Sequence, residues 1–460
     1  MDNFFSCFLD KVFCNKLKIN VIGDVLIDEY FDVQVERISP EFPIPVHYSS
    51  TESPNKKLCG GAANVAFQFK NFNIDVNLIS IINSEAKNIC DSYGINTQYS
   101  IVDDKIKNPI KKRFYKDFHA LTRWDIEQPF FGLPNISEYL NKIDIPEADI
   151  NIFSDYDKGL FSTDWHKKFL TKSKSLVDPK KNFKIWENCY LFKPNAVEAN
   201  RFIHKNNIED QLRWIQALLN CENVVITNSG NGVSAIDDDQ KTYKVIPHKV
   251  LTKPESVIGA GDCFMAFLAM AIGVNMDLLD CLSIAFEAGT NYVANRYNKP
   301  LNPSDFFTKD KLINNPAILK NRDFDLVWTN GCFDFGLTSG HIECLKFAKK
   351  QGDKLVVGLN SDTSIARLKG NGRPILPLKD RINILSSLES VDFIVSFEED
   401  TPLKTIEKII PNTIVKGGDY KKENVAGNKI SNVVIFDYIE GISTTEKIRR
   451  INEVSGNISN

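Results

Sequence analysis

The chain has 460 residues, of which 43% are hydrophobic and 25% charged, a balance typical of a globular protein with two or three domains. A net charge of −3 offers no basic surface for nucleic acid, and no apolar run is long enough to span a membrane. The six histidines lack metal-ligand spacing. Ten scattered cysteines without a C-x-x-C pair, and no signal peptide, predict a reduced, cytoplasmic protein.

The first part of the chain joins a buried strand to a loosely patterned segment. Residues 4–13 fit a short amphipathic helix, and the apolar residues 18–23 predict a strand that ends at Asp24. Residues 28–50 alternate less regularly and contain three prolines. Proline is confined to sheet edges because it cannot donate a ladder hydrogen bond. We therefore predict an edge ribbon or a lid over residues 28–50.

Two glycines precede the next helical pattern. Gly60 and Gly61 stand directly before it, and Asn64 falls near its start. Glycine allows the backbone to approach a polar ligand closely, and an asparagine side chain can hydrogen-bond to that ligand. An ordinary turn with an asparagine near the helix cap explains the same residues equally well.

Strands and helices then alternate along the chain. Strands are predicted at 76–82, 150–154, 189–192 and 224–227, and a hairpin at 112–115 with 121–125. This alternation predicts a mainly parallel sheet with helices on both faces, in which ligands gather at the carboxyl ends of the strands. Asp24, Asn195 and Thr227 all stand at such ends.

The segment Gly259-Ala260-Gly261-Asp262 leads into an apolar run, residues 264–271. Small residues before an apolar run predict a tight turn at the N-terminus of a buried helix, where free N–H groups can hold anionic oxygens. A carboxylate beside that pocket can take a proton from a hydroxyl group. Asp262 as a plain helix cap is an equally good interpretation of this turn alone.

Residues 301–324 lose this periodicity and are rich in proline and polar residues, which predicts a linker with at most a short helix. A second strand–helix series starts at residue 325. We therefore predict a domain at 1–300, a linker at 301–324 and a second domain at 325–460.

Residues from about 17 to 297 resemble the ribokinase-type sugar kinases. The resemblance rests on residues 60–64, 195–198 and 259–262, which occur in the family's order. Residues 37–41 and 154–159 are similar to the heptose 7-phosphate kinases within that family. The resemblance implies an α/β, ribokinase-like domain with a small β lid.

The same resemblance implies roles for individual residues. Asp262 would be the catalytic base, with Gly259, Ala260 and Gly261 as its anion hole. The sugar would be held by Asp24, Gly60, Gly61, Asn64 and, from a less distinctive piece of sequence, Arg123 and Asp125. Magnesium–ATP would lie near Asn195, Glu198, Thr227, Gly230 and Gly232. Cys263 stands where the family usually has threonine.

Residues from about 325 to 453 resemble nucleotidyltransferases with a His-x-Gly-His signature, specifically the adenylyltransferase half of the bifunctional heptose enzymes. This implies a Rossmann-like domain and catalytic roles at His341 and Thr338. Its implied nucleotide-binding residues are Gly331, Phe333, Asp334, Gly340, Lys369, Lys416, Ser443, Thr444 and Thr445. Ordinary helix capping explains the Ser443–Thr445 segment equally well when it is taken alone.

The signature itself departs from the family pattern. Thr338 replaces the first histidine, and the preceding segment is one residue longer, most simply by Gly336. Losing one donor to the transition state costs roughly 3 kcal/mol. Thr338 can still donate a neutral hydrogen bond, and Lys369, Arg373 and Lys416 are candidate phosphate contacts. Solvated surface charge is the alternative interpretation of these cations.

Together the two resemblances imply a bifunctional enzyme of sugar-nucleotide synthesis. The first domain would phosphorylate the anomeric hydroxyl of heptose 7-phosphate with ATP and Mg²⁺, and the second would form ADP-heptose from heptose 1-phosphate. Two alternatives stay open: a working kinase whose second domain binds nucleotide without turnover, or the same reactions with another sugar or with CTP or GTP. The kinase resemblance also implies a homodimer through residues 28–50.

Overall fold

The computed structural model describes residues 2–49, 51–116, 119–127, 136–203, 205, 207–246, 257–294, 299–306, 311–313, 315–320, 322, 324–370, 372–418 and 420–436. Contacts divide the chain into two compact units. The first unit is Lys11–Leu301, and the second unit is Met1–Asp10 with Asn302–Asn460.

The first unit is built on a sheet of strand order β16-β15-β14-β13-β12-β11-β1-β6. Its strands are β1 (Lys18–Gly23), β6 (Asp75–Ile79), β11 (Ile150–Ser154), β12 (Lys174–Asp178), β13 (Leu191–Phe192), β14 (Asn223–Thr227), β15 (Val233–Ile236) and β16 (Thr242–Val245). All neighbours from β14 to β6 pair in parallel, while β15 and β16 are antiparallel additions. Strands β1 and β11 are almost entirely buried, as expected for central strands of a parallel sheet covered by helices.

A smaller sheet of order β10-β9-β2-β5 forms the predicted lid. Its strands are β2 (Val25–Asp32), β5 (Lys56–Gly61), β9 (Ile110–Lys116) and β10 (His119–Ile126). Two separate two-stranded ribbons pair β3 (Gln34–Ile38) with β4 (Pro45–Tyr48), and β7 (Ile81–Ile82) with β8 (Ile101–Val102). Strands β9 and β10 form the predicted hairpin, and the prolines of residues 28–50 fall in or beside the β3–β4 ribbon. The ribokinase-like fold with a β lid is therefore confirmed.

The helices of the first unit are α2 (Ala62–Phe67), α3 (Ser84–Ser92), α4 (Ile136–Lys142), α5 (Ala196–Phe202), α6 (Ile208–Leu219), α7 (Ala260–Gly273) and α8 (Leu278–Ala294), and α1 (Asp2–Cys14) is divided between the two units after Asp10. Helices α2, α5, α6, α7 and α8 contact strands of the large sheet, whereas α3 contacts β2 and β5 of the smaller sheet. Helix α7 is apolar on every side and is buried throughout Asp262–Ile272, packed against α8. In α1 the predicted apolar stripe is correct, since Phe8, Leu9 and Val12 are fully buried.

The second unit contains one parallel sheet of order β17-β20-β19-β18-β21-β22. Its elements are β17 (Leu312–Ile313), β18 (Leu326–Gly331), β19 (Lys354–Asn360), β20 (Phe393–Phe397), β21 (Thr413–Gly417), β22 (Asn432–Phe436), α9 (Ser339–Lys349), α10 (Asp362–Lys369), α11 (Leu378–Ser386) and α12 (Leu403–Ile409). The chain leaves β18 in one direction to β19 and later returns on its other side as β21, which makes a crevice at the carboxyl end of β18. The predicted Rossmann-like fold is confirmed.

Residues 301–324 carry more structure than the linker we expected. Strand β17 pairs in parallel with β20 at the edge of the second sheet, and short 3₁₀ helices lie at Pro303–Phe306 and Pro316–Leu319. A strand of two residues has no measurable periodicity, so the sequence pattern could not reveal it. Among the helices of the described residues, none has the length and apolar character needed to cross a bilayer.

Candidate active sites

The N-terminus of α7 brings Asp262 to the carboxyl edge of the first sheet. Gly259 has φ 81°, and a Cβ there would lie 2.7 Å from the Tyr292 hydroxyl oxygen, so only glycine fits this turn. At Gly261, by contrast, a Cβ would meet nothing within 4 Å. Ala260, Gly261 and Asp262 thus form a first helical turn beside open space, which suits an anionic group.

The Asp262 carboxylate is held by two neutral donors. The Asn64 side-chain amide donates to Oδ2 at 2.6 Å, and the Tyr156 hydroxyl donates to Oδ1 at 2.7 Å. Asp262 is only 6% exposed. Burial raises its pKa to about 6, while the hydrogen bonds from Asn64 and Tyr156 act in the lowering direction. The group is therefore ionised near neutral pH and still basic enough to accept a proton.

A cavity of about 90 Å³ adjoins Asp262. Its lining residues are Leu26, Asp28, Leu58, Cys59, Gly60, Gly61, Asn64, Phe67, Lys111, Arg113, Tyr156, Ile258, Gly259 and Asp262. Gly61 is required by sterics, because it has φ 65° and a Cβ would lie 2.3 Å from the Asp24 carbonyl oxygen, whereas a Cβ at Gly60 would lie 2.3 Å from the Asp28 carboxylate and would displace that side chain. The structure thus brings together Gly60, Gly61, Asn64, Gly259 and Asp262.

Three predicted sugar-binding residues are not in this lining. Asp24 is fully buried, and its carboxylate accepts backbone N–H groups from Tyr156, Lys158 and Leu160. Its role in the structure is to fix the loop that carries Tyr156. Arg123 and Asp125 lie on β10 and pair with each other at 2.8 Å. An i, i+2 ion pair on one strand face satisfies both charges without a ligand.

Other cavity residues were missed by the sequence interpretation. Asp28 accepts a hydrogen bond of 2.6 Å from Arg113, and the Lys111 ammonium lies 5.6 Å from the centre of the Tyr156 ring. Lys111 and Arg113 are two residues apart on β9, so both side chains point to one face of the strand. That spacing was visible in the sequence, but only the pairing of β9 with β2 shows that this face is the cavity side.

The residues predicted to bind ATP gather at the ends of β13 and β14. Asn195 and Thr227 form a parallel bridge, and Asn195 and Glu198 cap α5 reciprocally. Glu198 also pairs with Lys180 at 2.7 Å. Gly230 lies exposed in the 3₁₀ turn Ser229–Asn231, and Gly232 follows it with φ 101°.

Lys193, which directly follows β13, pairs with Asp178 at the end of β12 at 2.9 Å. Both charges influence the pKa of Asp262. Burial also raises the pKa of Asp178 itself. The residues predicted to bind ATP and the predicted base Asp262 therefore share one edge of the sheet.

The second unit has a larger cavity, of about 670 Å³, at the ends of β18, β19 and β21. Of the predicted residues, it is lined by Gly331, Phe333, Asp334, Thr338, Gly340, His341, Lys369 and Lys416. Ser443, Thr444 and Thr445 lie outside the described residues. No group of three or more His, Cys, Asp or Glu side chains in the described part of the chain is arranged to hold a metal ion.

The loop after β18 is shaped by Phe333 and Asp334. Phe333 has φ 48° and lies so close to Gly331 that a Cβ there would be 2.9 Å from its ring. Asp334 is 2% exposed and pairs with Lys369 at 3.0 Å and with Arg373 at 2.8 Å. One buried carboxylate therefore balances the charge of only one of these two cations, and the cluster keeps a net positive charge.

Thr338 and His341 form a reciprocal cap at the start of α9. The Thr338 hydroxyl accepts the His341 N–H at 3.3 Å, and it lies 3.1 Å from His341 Nδ1. The Thr338 N–H donates to the same Nδ1 at 3.1 Å, which leaves the ring proton on Nε2. Thr338 is 4% exposed and its hydroxyl caps α9 by accepting the His341 N–H, while its catalytic role stays a prediction.

Comparisons with known proteins agree with the two folds. Residues 170–302 match the family described as pfkB family carbohydrate kinase, and residues 328–451 match the family described as cytidylyltransferase-like. The chain is therefore a carbohydrate kinase joined to a nucleotidyltransferase, with ATP as a substrate rather than a resident cofactor.

Full-length relatives share this arrangement. The chain is 33% identical to the bifunctional protein HldE of a Nitratiruptor species over 95% of this chain and 99% of that protein. It is 32% identical to the bifunctional protein HldE of Aliarcobacter butzleri, over 95% and 98% respectively. The chain belongs to the HldE family of bifunctional proteins.

Proposed function

We propose that the kinase unit transfers the γ-phosphoryl group of ATP to the anomeric hydroxyl of heptose 7-phosphate. The nucleotidyltransferase unit would then couple heptose 1-phosphate to the adenylyl group of ATP, giving ADP-heptose for lipopolysaccharide or another surface glycan. A separate phosphatase must remove the 7-phosphate between the two steps. The observation that carries this proposal is the buried, doubly hydrogen-bonded Asp262 at the N-terminus of α7, beside a cavity with two cationic side chains.

In the kinase step, Asp262 would take the proton of the anomeric hydroxyl as its oxygen bonds to the γ-phosphorus and ADP leaves. The Tyr156 hydroxyl donates to Asp262 Oδ1, and a substrate hydroxyl would donate to the same oxygen. The substrate would therefore displace the Tyr156 hydrogen bond or share its acceptor. N–H groups of the first turn of α7 suit the transferred phosphoryl oxygens. Asn195 and Thr227, at neighbouring strand ends, are proposed to border the nucleotide.

Magnesium would enter with ATP, and it would screen the phosphate charge there. Carboxylate oxygens are the ligands this hard cation prefers. Asp178 and Glu198 supply such oxygens at the ATP side, and each is paired with a lysine, Lys193 or Lys180, that a cation can replace. This donor set fits magnesium.

The lid side of the cavity supports a phosphorylated sugar. Burial lowers the pKa of Lys111, which has no carboxylate within ion-pair distance among the described residues. Arg113 is 6% exposed, and its Nε has no hydrogen-bond partner in the described structure. Asp28 pairs with Arg113, so the Lys111 ammonium is left without an ion-pair partner among the described residues and suits the phosphate of the sugar.

A second candidate function is favoured by the cap at α9. Because Thr338 gives its hydroxyl to the helix, the nucleotidyltransferase unit would bind nucleotide without turnover if His341 and the cations cannot compensate. The remaining alternative is that the two units carry out the same reactions on another sugar, or with CTP or GTP in place of ATP.

The test is substrate profiling of the full chain, with ADP formation reporting the kinase and pyrophosphate release reporting the transferase. We expect ADP formation with heptose 7-phosphate above other sugars, and pyrophosphate release with heptose 1-phosphate and ATP above CTP, GTP and UTP. A different preferred sugar or base would overturn the heptose or adenylyl assignment. Nucleotide binding without pyrophosphate release from any pair would establish the second candidate.

We also propose a cytoplasmic homodimer. All ten cysteines are free thiols, including Cys59 and Cys90 with sulfurs 3.3 Å apart, which supports a reducing compartment. The β3–β4 ribbon exposes Ile38, Phe42 and Ile44, each more than half accessible, which supports self-association there. Sedimentation of the full chain at several concentrations would test the dimer, and a monomer throughout would exclude it.

A further inference from the structure

A buried glutamine is connected to the predicted base of the kinase through one side chain. Gln68 directly follows α2 and is fully buried. Its Nε2 donates to Asn64 Oδ1 at 3.3 Å, and Asn64 Nδ2 donates to Asp262 Oδ2 at 2.6 Å. Residues four apart on a helical backbone share one face, which brings Gln68 to Asn64. Because α2 packs against α7, this connection joins the two helices.

The Asn64 amide has two possible orientations, and Gln68 distinguishes between them. Half a turn about the last side-chain bond exchanges the amide oxygen with the amide nitrogen. The Tyr292 hydroxyl, which is hydrogen-bonded to Asn64, can donate or accept and fits both orientations. The Asp262 carboxyl also fits both once it has taken a proton. Gln68 Nε2 can only donate, so it keeps Oδ1 towards itself and Nδ2 towards Asp262.

The Gln68 side chain is only partly satisfied in this arrangement. Its Oε1 is buried and has no hydrogen-bond partner among the described residues, which destabilises the fold. Reversing both amides would place Nε2, with two donors, where Oε1 now lacks a partner, and would cost more. Gln216 on α6 shows a structural glutamine, because Nε2 donates to two backbone carbonyl oxygens and Oε1 accepts from Gln240, each at 2.8 Å. The Gln68 amide is instead directed at Asn64, a residue of the kinase cavity.

The orientation of Asn64 decides which oxygen of Asp262 can take the substrate proton. With Nδ2 on Oδ2, the other oxygen, Oδ1, faces the Tyr156 hydroxyl. We propose that Gln68 is a positioning residue of the kinase, which holds Asn64 so that Asp262 receives the substrate proton on Oδ1. An N–H group on Oδ2 also favours the ionised carboxylate that a base requires. This inference rests on the proposed role of Asp262 as the base.

The test is the pH dependence of kcat/KM for ADP formation by the full chain, with ATP and heptose 7-phosphate, in Gln68→Met. Methionine is about as long as glutamine but has no N–H donor. The hydrogen bond from Asn64 lowers the Asp262 pKa, which is about 6. Its weakening should move the acid limb up by about one pH unit, the scale of one hydrogen bond to a charged group. Well above the limb, kcat/KM should stay within about fivefold of the natural value.

The other groups that act on Asp262 are the same in the natural protein and in the variants. Around the ends of the large sheet and on α8, these titratable or charged groups are Tyr156, Asp178, Lys193 and Tyr292. On the lid side of the cavity they are Asp28, Cys59, Lys111 and Arg113. A moved acid limb therefore reports the link through Asn64. Gln68→Leu, which also lacks a donor, is a second variant and should move the limb equally.

Two comparisons separate positioning from a general structural role. Gln216→Met makes the same substitution at another buried glutamine and removes its hydrogen bonds to the backbone, yet it should leave the acid limb in place. Asn64→Ala should move the limb in the same direction as Gln68→Met. Adding Gln68→Met to Asn64→Ala should move the limb no further, because Gln68 acts only through Asn64.

The outcomes are distinguishable. An acid limb that stays in place in both Gln68 variants, that moves equally in Gln216→Met, or that moves further in the double variant than in Asn64→Ala would overturn the inference and leave the kinase standing. If the natural chain forms no ADP with heptose 7-phosphate, or if Asp262→Asn keeps the natural rate, the proposed kinase function fails and the role of Gln68 fails with it. Pyrophosphate release would remain as a separate test of the transferase.

Discussion

The two cavities share a position in their folds but differ in charge. Each lies at the carboxyl ends of parallel strands, beside the N-terminus of a helix. Each cavity has an ammonium without a paired carboxylate among the described residues, Lys111 in one and Lys416 in the other. The kinase cavity also has a buried carboxylate held by neutral donors, Asp262, whereas the transferase carboxylates Asp334 and Asp400 pair with cations. The difference follows from the nucleophile: a neutral hydroxyl needs a proton acceptor, while a sugar phosphate is already anionic and needs only charge stabilisation.

The largest effect is expected from Asp262→Asn. Without a base, kcat for ADP formation should fall by about 10³-fold, within the range of general-base catalysis. Pyrophosphate release by the same molecules should be unchanged, because Asp262 and the transferase cavity belong to different units. ADP formation above a tenth of the natural rate would show that the kinase does not depend on this carboxylate, and the contrast between the two cavities would be lost.

A smaller effect is expected from Lys111→Met. Loss of one charge-assisted contact should raise KM for the sugar phosphate by about 30-fold, while kcat/KM for the unphosphorylated sugar stays the same. The matched control is Lys112→Met on the same strand. Lys112 points to the other face, 3.7 Å from Glu29 and 5.4 Å from the centre of the Trp124 ring, so its loss should leave KM unaltered. Equal effects of the two variants would exclude a phosphate site on β9.

Tyr156→Phe should change the pH dependence of the kinase more than its maximal rate. The base must be ionised, so kcat/KM should fall below the Asp262 pKa of about 6. The Tyr156 hydrogen bond lowers that pKa, and its removal should therefore move the acid limb to higher pH. Rates above the limb should change by only a few fold. An acid limb that stays in place would show that Tyr156 does not influence the base.

The smallest effect is expected from Thr338→Val, which removes a helix cap. The change should cost about 1 kcal/mol, seen as roughly fivefold faster hydrogen exchange at the His341 amide. Thr338→Ser keeps the hydroxyl and should keep the natural exchange rate. Unaltered exchange in the valine variant would mean that the hydroxyl does not stabilise α9 and remains available for other donation.

The sequence alone was sufficient for the features that depend on local pattern. The Gly259–Asp262 turn before an apolar run predicted a buried helix with an acid in its first turn, because both the turn and the helix are encoded within a few residues. The alternation of strands with helices along the chain predicted both sheets. Residues 312–313 were missed as a strand, since pairing with β20 is a long-range interaction that leaves no periodic pattern in so short a segment.

Only the tertiary structure decided which polar side chains face a ligand. Asp24 and Lys111 are both polar residues in or beside strands, yet Asp24 is occupied by three backbone N–H groups while Lys111 faces the cavity. The same holds for Thr338, whose hydroxyl accepts the His341 N–H, and for Lys416, whose ammonium donates to the Asn330 carbonyl oxygen in the lining of the second cavity. A sequence specifies what a side chain can donate or accept, but its partners come from distant segments, and the fold determines whether those partners are protein or substrate.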